Sequence, residues 1–169
     1  MRAPMTRWRP QQSIRVTALG LHWRAGCLLA AEVRDDAGRL MGVRPLGGGV
    51  EFGERWQDAL LREFQEELGV AITLRGEPLI LENIYRHADM VGHEIVFVVD
   101  IDVEGDPFAD RDSIAFHEDS GMACHARWFD LADLDREDGP KLYPAGLKAL
   151  LIARPKARSV GSSRGGREL

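Results

Sequence analysis

Between Gly48 and Val70 the chain reads GGVEFGERWQDALLREFQEELGV, and this stretch concentrates the residues best suited to chemistry. Glu63, Glu66 and Glu67 lie four positions apart at most, with Arg62 beside them and Glu54 eight residues earlier. The spacing predicts a helix over Arg55 to Leu68, closed by Gly69 in the position where a left-handed residue ends a helix. At about 100° per residue the three glutamates share an arc of roughly 100°, and Leu61, Phe64 and Leu68 occupy an adjacent arc. One side of such a helix packs on a core; the other displays carboxylates. Carboxylates this close repel each other and raise one another's pKa. A hard divalent cation reverses that, because it favours the ionised forms and takes oxygen ligands. Mg²⁺ in particular keeps waters, accepts a few carboxylates and completes its shell with phosphates. A bound metal can acidify a water, neutralise phosphate oxygens and align an in-line attack. An ordinary solvated acidic face is the plainer reading of glutamates alone; the complete spacing favours a metal site.

The elements that must position this helix follow from periodicity and turn residues. A strand-like run from Ile14 reaches about Trp23, Arg24-Ala25-Gly26 turns the chain, and Cys27 to Val33 is a second strand. Asp35 to Gly38 is a turn, and Arg39 to Arg44 is a third strand leading into a loop made by Gly47, Gly48 and Gly49, glycines that permit positive φ and close approach to a ligand. After the helix come a short strand at Ala71 to Leu74, a break at Arg75 to Pro78, an extended run from Leu79 to Arg86 and a polar loop from His87 to Gly92. Glu94 to Val103 is a strand with Ile95, Phe97, Val99, Ile101 and Val103 on one face. Glu104 to Ala123 is a long polar segment, of the kind that is functional or mobile in a compact domain. Ala126 to Leu131 is a further strand. A closing helix spans Tyr143 to Ala153, with Pro144 in its first turn. Strands on both sides of a helix, with a second helix at the end, predict an α/β domain with a mixed sheet and helices on its faces.

Bulk properties limit the function classes. The 169 residues, 44% hydrophobic and 29% charged, predict one soluble globular domain. Residues 1–12 form an expected loose arm, 13–153 the domain, and 154–169 a Ser/Gly/Arg-rich tail expected to be disordered. The net charge is −5, and basic arm and tail leave the body more acidic still. An acidic body argues against binding a nucleic acid polymer, since phosphate contacts need Lys and Arg; it leaves room for a nucleotide whose charge a metal neutralises. Apolar runs are too short for a membrane span, and no apolar segment marks a secretory signal, so the cytoplasm is expected. Cys27 and Cys124 lack metal spacing and read as reduced thiols.

Gly48, Glu54, Arg62-Glu63, Glu66-Glu67, Gly69 and Val70 resemble the Nudix box of the Nudix hydrolases (MutT-like proteins) at every defining position, and the resemblance extends over the body from about Ser13 to Ala153. It implies an α/β/α sandwich and a Mg²⁺- or Mn²⁺-dependent pyrophosphohydrolase. Such an enzyme cleaves the diphosphate linkage of a nucleotide or nucleoside diphosphate derivative by water attack at phosphorus. It implies Glu63, Glu66, Glu67 and the carbonyl of Gly47 as metal ligands, and Glu63 as one candidate general base. Arg62 would orient Glu54 or a neighbouring carboxylate through a bidentate pair. Glu51 is a candidate outer carboxylate, no further organic cofactor is implied, and homodimers are common among relatives.

Departures from the family pattern carry information. Pro45-Leu46 reverses the usual order before the glycines. Many relatives have a glutamate just before the late Trp-Phe, where this chain has His125 ahead of Ala126-Arg127-Trp128-Phe129; Glu118 or Asp119 in the long polar segment is the replacement candidate for a base from outside the box. Tyr85 reads either as a base-stacking ring or, more simply, as a strand aromatic in the core. Two rival functions remain: a catalytically silent ligand-binding module, which such families mark by a degraded box, and a diphosphate isomerase on the same fold, for which no cysteine has a catalytic setting.

Overall fold

The computed structural model describes residues 9–118 and 121–155. The chain runs β1 (Ile14–Leu21), β2 (Trp23–Arg24), β3 (Cys27–Arg34), β4 (Leu40–Gly49), α1 (Trp56–Leu68), β5 (Ile72–His87), β6 (Met90–Val103), β7 (Ser113–His117) and β8 (Ala123–Asp130). A 3-10 turn (Leu131–Asp133), β9 (Lys141–Leu142) and α2 (Leu147–Ala153) close it. The sheet order is β5-β6-β1-β4-β3-β8-β7, with β2 paired to β3 and β9 to β4. The β1–β6 and β4–β9 pairs are parallel and the others antiparallel, so the sheet is mixed as expected.

Alternation along the strands builds one core on each face. Ala18, Leu29, Leu46, Val99 and Ile101 point to the side covered by Leu60 and Phe64 of α1. Their neighbours Leu19, Leu28 and Val98 point to the opposite side, where Leu147 and Leu151 of α2 and Leu134 close over them. This is an α/β/α sandwich. Phe64, 1% exposed, stabilises the first core by about 3 kcal/mol on burial alone. The close seating of α1 depends on glycines beneath it: a Cβ at Gly20 would stand 3.1 Å from the Phe64 ring, and one at Gly47 would stand 3.0 Å from Leu60 Cδ1.

Several expected boundaries moved, each for a physical reason. Gly47 to Gly49 are not a loop. They are the end of β4, paired with Leu19, Ala18 and Thr17 of β1, because a neighbouring strand supplies the order that the glycines lack. β5 is continuous, with Arg75 to Pro78 absorbed as a register shift between Arg75 and Leu79. The expected loop at His87 to Gly92 shrinks to a tight turn at Ala88-Asp89, since His87 still pairs with Met90. Inside the long polar segment β7 pairs with β8, its alternating Ile114 and Phe116 buried at 4% and 6%. The closing helix starts only at Leu147, because Gly146 sits at φ 87° and Pro144 lies in the preceding turn, after a cis Tyr143–Pro144 bond.

At the ends, Arg9 of the expected arm pairs with Asp36 at 2.7 Å and Pro10 is buried. Arg154 of the expected tail donates to Asp100 at 2.5 Å. Residues 1–8 and 156–169, the rest of those two expectations, lie outside the described residues, as does Asp119. Cys27 and Cys124 are free thiols. Among the described residues no helix is long and apolar enough to cross a membrane.

Candidate active site

The link from β4 to α1 is held from both ends. The Val50 amide donates to the Val16 carbonyl at 2.8 Å, and Gly53 takes φ 84°, turning the chain into the helix. Glu54 follows that turn, its carboxylate accepting from the Glu51 amide at 3.0 Å, and Arg55 is extended before the helix. Trp56 opens α1 and stacks on Phe97 of β6, ring centroids 5.2 Å apart and nearly parallel. At the far end Gly69, at φ 66°, lets its own amide reach the Gln65 carbonyl, while the Val70 amide reaches Phe64. The helix is thereby fixed at its first turn, along its buried side and at its last turn.

Arg62 is the hub of the carboxylates. Its Nε and Nη2 donate to the two oxygens of Glu54 at 2.9 and 3.0 Å, the bidentate pair expected of a planar guanidinium. Nη1 donates to Glu63 at 3.1 Å and to Glu66 at 3.2 Å, and Nη2 also reaches the Gly49 carbonyl at 3.0 Å. The Arg62 hydrogen bonds, with the Glu51 amide second, pull the Glu54 carboxyl down to about 2. The same partners, Glu54 first, push the Arg62 guanidinium further above its ordinary value. Arg62 thus ties the strand end, the loop and the helix into one unit.

The three helix glutamates are not equivalent. Glu63 is 5% exposed, set against the strand where Gly48 has no side chain; a Cβ at position 48 would collide with its carboxylate. The expectation of three displayed carboxylates is corrected here: Glu63 is buried, because it lies next to Phe64 on the edge that packs on β4. Glu66 is exposed and Glu67 half-buried. Glu67 faces the end of β7 and the start of β8. Burial first, then Glu118 and Glu67, push the Cys124 thiol up to about 12, so all three groups share one neighbourhood. Glu118 itself sits at the mouth of a turn, its amide bonded to the Met122 carbonyl at 3.0 Å. The fold therefore brings Glu54, Arg62, Glu63, Glu66, Glu67 and Glu118 to one side of α1, while Gly47 lies beneath them, paired with Leu19.

The donor set suits a hard divalent cation in type: carboxylates, backbone carbonyls and a glycine cradle around Glu63. Among the described residues no three Asp, Glu, His or Cys side chains converge into a cage. An open set of carboxylate donors, leaving positions for water and phosphate oxygens, is what Mg²⁺ accepts and what Zn²⁺ in a closed structural site does not. The residues fit the group.

Tyr85 belongs to neither simple reading. Its ring lies over Gly92, directly across the strand pair, where a Cβ would strike it, and the side chain is only half-buried. Burial, then the Glu94 carboxylate, raise its pKa, with Arg15 and Arg44 pulling the other way. Those two arginines had no signal in the sequence: each is a single charged position in a strand, without a motif around it.

A sandwich of this topology with a glycine strand under a carboxylate helix defines a Nudix fold, and the chain belongs to the Nudix family: the NUDIX domain model matches residues 13–149. Among curated relatives, the nucleoside triphosphatase NudI of Salmonella arizonae is 47% identical over 60 residues, 35% of this chain and 38% of that protein. NudI of Salmonella newport matches equally. The matched region thus spans well under half the length of these relatives. Of solved structures, a MutT NUDIX hydrolase from Burkholderia pseudomallei aligns at TM-score 0.53 and 22% identity over 83% of this chain and 99% of that one. The E. coli ORF135 protein aligns at TM-score 0.50 and 23% identity over 85% and 94%. At such identities these two establish the fold.

Proposed function

We propose that this chain is a divalent-cation-dependent pyrophosphohydrolase acting on a nucleotide or nucleoside diphosphate derivative. The observation that carries the reading is the Arg62 network, which holds Glu54, Glu63 and Glu66 in place beside Glu67 on a helix seated over glycines. Family membership and the nucleoside triphosphatase named among the relatives support the substrate class. Glu63, Glu66, Glu67 and the Gly47 carbonyl would hold Mg²⁺ or Mn²⁺, which when bound supplies charge neutralisation at phosphate oxygens and a more acidic water. In the reaction an O–P bond forms from water, the bridging P–O bond breaks, and the water's proton passes to a carboxylate. Glu63, buried and beside Arg62, and Glu118, across from Glu67, are the two candidate bases. Arg62 touches no substrate in this scheme; it positions Glu54, Glu63 and Glu66. The domain is taken as residues 13–153 and its compartment as the cytoplasm.

The deciding experiment is a turnover panel with Mg²⁺ (nucleoside triphosphates, oxidised guanine forms, ADP-ribose, NADH, dinucleotide polyphosphates, nucleotide sugars), with wild type beside Glu67→Gln and products resolved by chromatography. Wild type is expected to hydrolyse one class well, and Glu67→Gln to lose at least two orders of magnitude in kcat with unchanged melting. Equal turnover in the two proteins removes the metal assignment. Metal binding without any turnover favours a silent binding module, and rearranged product with no released phosphate species favours an isomerase.

A further inference from the structure

The two edges of the sheet are finished differently. β7, at one edge, is five residues long, and it exposes Ser113, Ala115 and His117 while Ile114 and Phe116 turn into the core. Short length and small or polar exposed side chains keep an edge strand from pairing with another chain. β5, at the other edge, is sixteen residues long. Its only strand partner is β6, and among the described residues no other backbone hydrogen bond reaches positions 79–87. The register shift of β5 lies before Leu79, so the stretch from Leu79 to His87 pairs without interruption and contains no proline. It presents a free edge roughly 30 Å long.

The outer face of that edge is apolar where it meets water. Ile80 and Ile84 are 60% and 63% exposed, and Val91, across from Arg86 on β6, is exposed too. Glu82 and Arg86 share this face with them, since residues two apart along a strand point to one side, and both are exposed. Glu82 meets the His93 ring of β6 at 2.9 Å. The Arg86 guanidinium has no partner among the described residues.

Two copies of β5 can meet edge to edge, antiparallel, about a two-fold axis perpendicular to the sheet, which keeps like faces on one side. The side-chain pattern then separates the possible registers. Centred on Glu82, the pairing opposes two like charges. Centred on Asn83, it sets Ile84 against Glu82 and Ile80 against Arg86; centred on Tyr85, it sets Ile84 against Arg86. Centred on Ile84, it sets Ile84 against its own copy and Glu82 against Arg86 twice. Opposite charges directly across a strand pair stabilise it, and like charges destabilise it. We infer that a second copy of this chain docks on β5 in the Ile84-centred register, continuing the sheet from one copy into the other. The interface is independent of the carboxylates of α1, none of which lies on β5.

The test is sedimentation of the full chain from about 1 to about 200 μM for wild type, Glu82→Arg, Arg86→Glu and the double reversal. Wild type is expected to be dimeric at the upper end and to dissociate on dilution, as suits an interface of one strand pair. Each single reversal opposes like charges twice and should weaken association at least about tenfold; the double reversal should restore it to within about threefold of wild type. Ile84→Cys should form a disulfide-linked dimer under mild oxidation, because its two Cα atoms would stand about 4.5–5.5 Å apart, and Ile80→Cys should not. Melting of every variant at the lowest concentration should stay within about 2 °C of wild type, since the substituted side chains are exposed. Wild type that stays monomeric throughout overturns the inference; if removal of residues 1–8 then produces a dimer, that segment holds the edge instead. A dimer that no variant alters, or a double reversal as weak as the single ones, overturns the pairing on β5.

Discussion

Arg62 and Arg44 lie on the same side of the sandwich and differ in almost everything that decides a role. Arg62 donates to Glu54, Glu63, Glu66 and the Gly49 carbonyl, so all the capacity of its fork is spent inside the protein. Arg44, half-buried on β4, makes no hydrogen bond or ion pair among the described residues. A saturated guanidinium holds a structure together, whereas an unbonded one adds little to it. The box region is thus a preorganised frame, and Arg44 lies outside it.

The contrast can be broken by removing its most heavily bonded member. Arg62→Ala should strand the buried Glu63 beside two other carboxylates, lowering Tm by about 5–10 °C and kcat by at least a hundredfold; thermal melts and single-substrate kinetics check both. A protein that melts normally would mean that Arg62 is no frame at all. Next in size is Gly48→Ala, whose Cβ would drive the Glu63 carboxylate off the strand. Turnover should fall about 10- to 100-fold, with a smaller change in melting than for Arg62→Ala. A variant with full activity would show that Glu63 need not lie where it does.

The Glu54 contact predicts a pH signature. Its pKa is about 2 in the folded chain against 4.5 for the free side chain. A depressed folded value makes the contribution fully present above about pH 4.5 and progressively lost as pH falls toward 2. Melting temperature followed from pH 5 to pH 2 should therefore drop less steeply in Glu54→Gln than in wild type, and parallel curves would remove the bidentate pair. The smallest effect expected is the melting of Arg44→Ala, within about 2 °C of wild type. A large loss there would show that Arg44 belongs to the frame.

How far the sequence reached varied with the kind of signal. The helix, its terminal glycine and the grouping of Glu54, Arg62, Glu63, Glu66 and Glu67 were legible because they depend on spacing along a single element. Strand boundaries were less so. Ser113 to His117 reads as polar loop because its alternation is short and its partner β8 lies ten residues on, and the three glycines read as loop because only β1 could hold them extended. Pro144 was placed inside a helix that Gly146 postpones. The burial of Glu63 could not be read from a helical wheel, since it depends on how far α1 sinks over Gly47 and Gly48.

What the sequence determined by itself is local: periodicity, turns and one motif, each fixed by residues within about one helix length of each other. Those suffice for the fold class, the family and the carboxylate helix. The tertiary structure alone decided which charges meet. Arg15, Arg44, Tyr85 and Glu118 come from separate strands and turns, and where each lies relative to α1 exists only once strand register and the seating of α1 are set. Pairing and burial are properties of side chains distant in sequence, so whether an arginine is bonded within the protein is written in the packing.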